Sequence, residues 1–155
     1  MNKLANGSIP LVTAAGQGHR AMVELLIEHG ADVKDVTALN IAASRNFQSV
    51  AEVLLARGAE INLRDINGQS PLMAAVRNNQ AGMVAFLISK GADPNASARR
   101  NHTPLMESAT SQSPKITEQL LKAGAKVDEQ NDSGETALNY SVGRTGIEFV
   151  KLLLD

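Results

Sequence analysis

Ser70-Pro71-Leu72-Met73-Ala74-Ala75 begins a segment that Gly91-Ala92-Asp93-Pro94 ends. A serine hydroxyl before proline is a helix start. The hydroxyl serves the orphan N–H groups of the first turn, and proline at the next position loses no hydrogen bond by lacking its own N–H. The small pair Ala74-Ala75 lets a neighbouring helix approach closely. Asn79 then stands where the chain must turn left-handed, a conformation that asparagine tolerates. A second helix with an apolar stripe follows and stops at Gly91. The stretch reads as helix, turn, helix.

The same reading recurs along the chain. Thr37-Ala38-Leu39, Ser70-Pro71-Leu72, Thr103-Pro104-Leu105 and Thr136-Ala137-Leu138 are spaced by 33 residues, and Ile9-Pro10-Leu11 begins a copy 28 residues before Thr37. Gly30-Ala31-Asp32-Val33, Gly58-Ala59-Glu60-Ile61, Gly91-Ala92-Asp93-Pro94 and Gly124-Ala125-Lys126-Val127 each begin 21 residues after the start of their copy. Apolar segments with helical spacing lie between, for example Met22, Val23, Leu25 and Leu26, or Val50, Val53, Leu54 and Leu55. After each glycine comes a polar finger such as Arg64-Asp65-Ile66-Asn67-Gly68, which reads as a hairpin turn.

In period, helix order and motif the chain resembles the ankyrin repeat family from about Ile9 to its last residue. The resemblance implies an all-α helix–turn–helix solenoid with short hairpin fingers. One domain is expected over residues 1–155, with copies starting near 9, 37, 70, 103 and 136. No copy can bury its apolar stripe alone, so stability comes from neighbours. The family usually carries histidine after Thr-Pro-Leu, bonded to the threonine; here Val12, Asn40, Met73, Met106 and Asn139 stand there. Asn40 and Asn139 are expected to replace that bond in part, and Met73 and Met106 not to. Ordinary stability follows, with a melting temperature below about 90 °C. The first finger, around Lys34-Asp35-Val36, is five residues short and is expected to be a blunt turn. The fifth copy reaches Asp155 with Ile147, Phe149, Val150, Leu152, Leu153 and Leu154 and shows no polar outer side. Self-association through this C-terminal repeat is one expectation; continuation of the natural chain is the other.

Composition narrows the function. The hydrophobic fraction is 43% but the aromatic fraction only 3%, so the core must be aliphatic. The formal net charge of −1 points to neither nucleic acid nor membrane. Without cysteine there is no disulfide, thiolate catalysis or thiolate-bound zinc. Residues 1–7 show no apolar core of a signal peptide, and a cytoplasmic placement is expected. His19, His29 and His102 fall in different phases of the repeat, so no metal site is expected. Asp128–Gly134 looks faintly like a calcium loop with its glycine one place late and is read as a polar finger. No nucleophile elbow and no phosphate-cradling glycine loop occur. Neither a catalytic residue nor a cofactor is expected.

What remains is a surface for holding another protein. The family geometry implies that fingers and the ends of first helices line a concave face. Arg45, Arg77 and Arg144 stand near ends of first helices, and Arg64, Arg99 and Arg100 lie in fingers. Six of the eight arginines are thereby expected in the groove, while lysines such as Lys90, Lys122 and Lys151 fall on second helices. Arginine suits bidentate contacts to carboxylates. The expected partner-binding set is Arg45, Arg64, Ile66, Asn67, Gln69, Arg77, Asn78, Arg99, Arg100, His102, Ser111 and Arg144, for an acidic or polar protein segment. Met73 and Met106 could add apolar contact or belong to the core. A regulatory or targeting role within a longer chain is the alternative, and nucleic-acid binding a weaker one.

Overall fold

The computed structural model describes residues 8–144 and 147–154. Among these it forms ten α-helices, one short 3-10 turn at Arg99–Asn101, and no strand. The helices come in five pairs: α1 Ser8–Gly16 with α2 Arg20–Glu28, α3 Val36–Ser44 with α4 Gln48–Ala56, α5 Pro71–Arg77 with α6 Ala81–Ser89, α7 Pro104–Thr110 with α8 Pro114–Lys122, and α9 Ala137–Arg144 with α10 Ile147–Leu154. First helices stack on one another in the order α1, α3, α5, α7, α9. In the second layer α2 packs on α4, α6 on α8, and α8 on α10. The chain is the expected all-helical solenoid.

The helix starts vary with local chemistry. Ser70 Oγ accepts from the Met73 N–H and Thr103 Oγ1 from the Met106 N–H, each at 3.2 Å, with Pro71 and Pro104 just inside the helix. The second copy departs from expectation, because Thr37 does not cap it. Helix α3 starts at Val36, and the Asp35 carboxylate accepts from the Thr37 N–H at 2.9 Å. The shortened finger brings that carboxylate to the helix end. In the fifth copy Asn139 replaces the family's histidine: its Oδ1 accepts from the Thr136 N–H at 2.8 Å and from Thr136 Oγ1 at 2.9 Å. Asn40 does not. Its amide donates to the Gln69 carbonyl at 3.1 Å, and its Oδ1 is buried without a partner. Met106 does more than expected, since its sulfur accepts weakly from the Thr103 N–H at 3.5 Å.

Between paired helices, Gly18, Asn46, Asn79 and Gln112 hold one phase of the repeat with φ from +51° to +74°. Gln112 is the exception in residue type, and a left-handed glutamine costs about 1–2 kcal/mol. Second helices end on left-handed glycines, and the N–H groups of Ala31, Ala59, Ala92 and Ala125 close back onto Leu26, Leu54, Leu87 and Leu120 at 2.9–3.0 Å. Leu11, Leu39, Leu72 and Leu105 line the buried seam. Met73 and Met106 are fully buried and belong to the core, not to the groove. Asn62 and Asn95 fasten one copy to the next in the same way. Each amide donates to the following copy's glycine carbonyl (Gly91 at 3.4 Å, Gly124 at 3.1 Å), and each Oδ1 accepts the N–H of Asp93 or Lys126 at 2.9 Å.

Candidate binding surface

The fingers are hydrogen-bonded turns. Asp65, Ala98 and Asn131 each donate a backbone N–H to the carbonyl four residues on, at Gln69, His102 and Glu135, with N···O of 2.8–3.0 Å. Asp65 and Asn131 fold their own side chains inward. Asp65 Oδ1 accepts from the N–H groups of Asn67 and Gln69, and Asn131 Oδ1 from those of Ser133 and Glu135. The middle finger has Arg100 at φ +60° and Asn101 at φ +55°. Two consecutive left-handed residues are the backbone of a tight hairpin turn. Neighbouring fingers are tied together as well: Arg99 Nη2 donates to the Ile66 carbonyl at 2.9 Å, the Asp132 N–H to the Arg100 carbonyl at 3.0 Å, and Asn101 Nδ2 to Asp132 Oδ1 at 2.9 Å.

Between these fingers and the first helices of the third to fifth copies opens a cavity of about 440 Å³. It brings together six of the expected residues, Asn67, Gln69, Arg77, Arg99, Arg100 and His102. Six residues outside the expected set join them: Ala98, Glu107, Asn131, Ser133, Glu135 and Tyr140. Glu107 is the centre. It accepts from Arg77 Nε at 3.2 Å and Nη2 at 3.4 Å, and from His102 Nε2 at 3.0 Å. Burial alone would raise its carboxyl pKa, but the hydrogen bonds and positive charges of His102 and Arg77 outweigh that and hold it below the ordinary value. The His102 ring meets Tyr140 edge to face, with centroids 5.4 Å apart. Tyr140 and Asn131 both donate to Glu135 Oε2, at 3.1 and 2.9 Å, which lowers the Glu135 pKa. A signal for these residues did exist. Glu107 is the only acidic residue inside a first helix, and Tyr140 holds the same phase one copy later (103 to 107, 136 to 140).

The other expected residues lie elsewhere. Arg45 caps the C-terminus of α3 and donates to the Gly16 carbonyl of the preceding copy at 2.7 Å. Asn78 and Ser111 cap α5 and α7 and bond back to the carbonyls of Ala74 and Glu107, each at 2.8 Å. Arg64 is exposed beside its finger, and Ile66 is exposed at the finger's tip. Arg144 closes α9, and its side chain lies outside the described residues. Several arginines of the predicted stripe are therefore engaged in joining copies: Arg45 and Arg99 reach the copy before, and Arg77 reaches the copy after. Among the lysines, Lys122 pairs with Glu118 and Lys151 with Glu148 within one helix, surface pairs of small energetic value.

The family profile described as Ankyrin repeats (3 copies) matches residues 1–65, 36–98 and 72–155. The chain is 37% identical over 141 residues to a putative palmitoyltransferase ZDHHC13 of Danio rerio, covering 86% of this chain and 22% of that protein. It is 29% identical over 155 residues to the potassium channel AKT2/3 of Arabidopsis thaliana, covering 97% of this chain and 19% of the channel. It is 31% identical over 150 residues to an L-asparaginase of Dirofilaria immitis, covering 94% of this chain and 25% of that protein. The chain thus spans about a quarter or less of the length of each of these relatives. No helix among the described residues is long and apolar enough to cross a membrane. The stacked helix pairs, the left-handed turns at one phase and the match over the whole length agree, and the chain belongs to the ankyrin repeat family.

Proposed function

We propose that this chain is a protein-interaction module without catalytic activity that holds an acidic or polar segment of another protein in the groove of its third to fifth copies. Ankyrin repeats are in general protein-interaction modules. The observation that carries the finer reading is the cavity between fingers and first helices, lined by Arg77, Arg99 and Arg100, by the amides of Asn67, Gln69 and Asn131, and by Glu107. The exposed guanidinium group of Arg100 offers forked donors to a carboxylate, while Asn67, Gln69 and Asn131 line the same cavity with polar groups. The carboxylates of Glu107 and Glu135 make the cavity mixed in charge, which favours a polar segment over a uniformly anionic polymer. A regulatory or targeting role within a longer protein is compatible with this reading. It is favoured by the small share that the chain covers of its relatives, among them a channel and two proteins named as enzymes.

The test is fluorescence anisotropy of a labelled peptide rich in Asp and Glu, titrated with the wild-type chain and with the variant Arg100→Glu. Arg100 lines the cavity and is exposed, and its side chain does not fasten copies together as those of Arg45, Arg77 and Arg99 do. A loss of at least about tenfold in affinity, roughly 1.4 kcal/mol, is expected. Equal affinity of the two proteins refutes the arginine reading. Tighter binding to random single-stranded DNA than to the peptide, falling steeply with salt, replaces it with nucleic-acid binding.

A further inference from the structure

We infer, on the basis of the groove binding proposed above, that the partner is a segment in polyproline II conformation. It presents an apolar, an acidic and a basic side chain in that order, each on the third residue after the one before. The finger tips carry the pattern. Ile66, Arg99 and Asp132 hold one phase of the repeat, 33 residues apart, and all three are exposed. They stand side by side because the fingers are tied to one another. Arg99 Nη2 donates to the Ile66 carbonyl, the Asp132 N–H to the Arg100 carbonyl, and Asn101 Nδ2 to Asp132 Oδ1, at 2.9–3.0 Å.

The surface along this row changes from apolar to cationic to anionic. Ile66 is 87% exposed, and among the described residues outside the first and last helix pairs no other large apolar side chain is so exposed. Arg64 and Asp65 of the same finger are opposite in charge. The next finger adds Arg100, exposed on the cavity, to Arg99. The last adds Glu135, also exposed on the cavity, to Asp132. An apolar partner side chain fits over the first finger, a carboxylate at the second and an ammonium at the third. Exchanging the two charges sets like against like at both fingers, so the order of the charges carries the selectivity.

The spacing selects the conformation. The fingers ride on α5, α7 and α9, which pack in succession, and packed helices stand about 8–10 Å apart. In a β-strand, residues three apart lie on opposite faces. A polyproline II segment has three residues per turn and a rise of about 3.1 Å, so every third side chain returns to one face after about 9 Å. That step matches one copy of the stack. The finger backbones favour the same form. Asp65 with Gln69, Ala98 with His102 and Asn131 with Glu135 close their N–H to carbonyl bonds within each finger. The fingers thus offer side chains more than a strand edge, and a polyproline II segment keeps its backbone solvated and needs no edge.

Fluorescence anisotropy of labelled peptides tests this. Two peptides of one composition are compared, Leu-Pro-Pro-Glu-Pro-Pro-Lys and Leu-Pro-Pro-Lys-Pro-Pro-Glu, each also made in the reverse chain direction, beside the acid-rich peptide. The better direction of the first order is expected to bind the wild-type chain at least about tenfold more tightly than either direction of the second. Ile66→Ser should weaken the first order by about fivefold. Arg100→Glu should erase the preference between the two orders, whereas damage to the fold would weaken both alike; circular dichroism checks that the variants are folded. Equal affinity for the two orders in the wild type, or a preference that persists in Arg100→Glu, overturns the inference. If the acid-rich peptide then still binds through Arg100, the groove reading survives it. Failure of all the peptides to bind, the acid-rich one included, overturns both.

Discussion

Replacing Glu107 with Gln removes one negative charge and keeps the side chain's shape. The carboxylate accepts two bonds from Arg77 and one from His102, and its side chain is only 10% exposed. Bonds to a charged group contribute about 1.5–3 kcal/mol each when well buried. Arg77 is half exposed, which moves its share toward the 0–1 kcal/mol of a surface pair. Glutamine still accepts through its carbonyl oxygen, but its amide turns an N–H toward one of the donors. The net loss is about 1–2 kcal/mol, or about 3–6 °C in melting temperature for a chain of this length. The pH dependence carries the sign. The Glu107 pKa is held below its ordinary value of 4.5, so its contribution is complete above that pH and fades as pH falls through the depressed folded value. Thermal unfolding followed by circular dichroism should therefore show a gap between wild type and Glu107→Gln at neutral pH that narrows as pH falls below 4.5. Equal stability at neutral pH, or a gap of constant size down to the lowest pH, refutes the reasoning.

Asn95→Ala breaks two bonds between the third and fourth copies and should cost about 1 kcal/mol, since each bond is exposed; a urea midpoint equal to that of the wild type would contradict it. Gly18→Ala should destabilise more than Gly30→Ala. Both positions are left-handed, an expense of about 1 kcal/mol, but only at Gly18 would a methyl group come within 2.8 Å of the Phe47 ring. Urea denaturation of the two variants side by side decides this. Met83→Ala leaves a cavity where Met22→Ala leaves none, so about 2–5 kcal/mol is expected for the first and under about 1 kcal/mol for the second. Similar losses for both would show that Met22 is covered in the monomer.

Much of the fold was legible because it depends on short-range chemistry. Ser70 and Thr103 cap their helices as a hydroxyl before proline should, and Asn46 and Asn79 turn left-handed as asparagine in that setting should. The failures come where a distant group competes. Thr37 lost its capping role to Asp35 because the finger before it is short. Gln112 turns left-handed because the stack places α7 and α8, and the residue between them conforms. The groove was half legible. Six expected residues do line the cavity, but Arg45 points its guanidinium at a helix end 29 residues earlier, and no local pattern announces such a bond.

The period, the alternation of helix and turn, and the aliphatic core all follow from residue type at a fixed spacing within one copy. What the charges do depends on how the copies stack. Arg77 and Arg99 are both expected from the sequence to face the groove. Yet one holds Glu107 in the copy ahead and the other holds the Ile66 carbonyl in the copy behind. The choice depends on which oxygen the stacking brings within about 3 Å. Side chains that bond across copies answer to the rise and rotation between helix pairs, and that geometry is set by the summed packing of the whole stack.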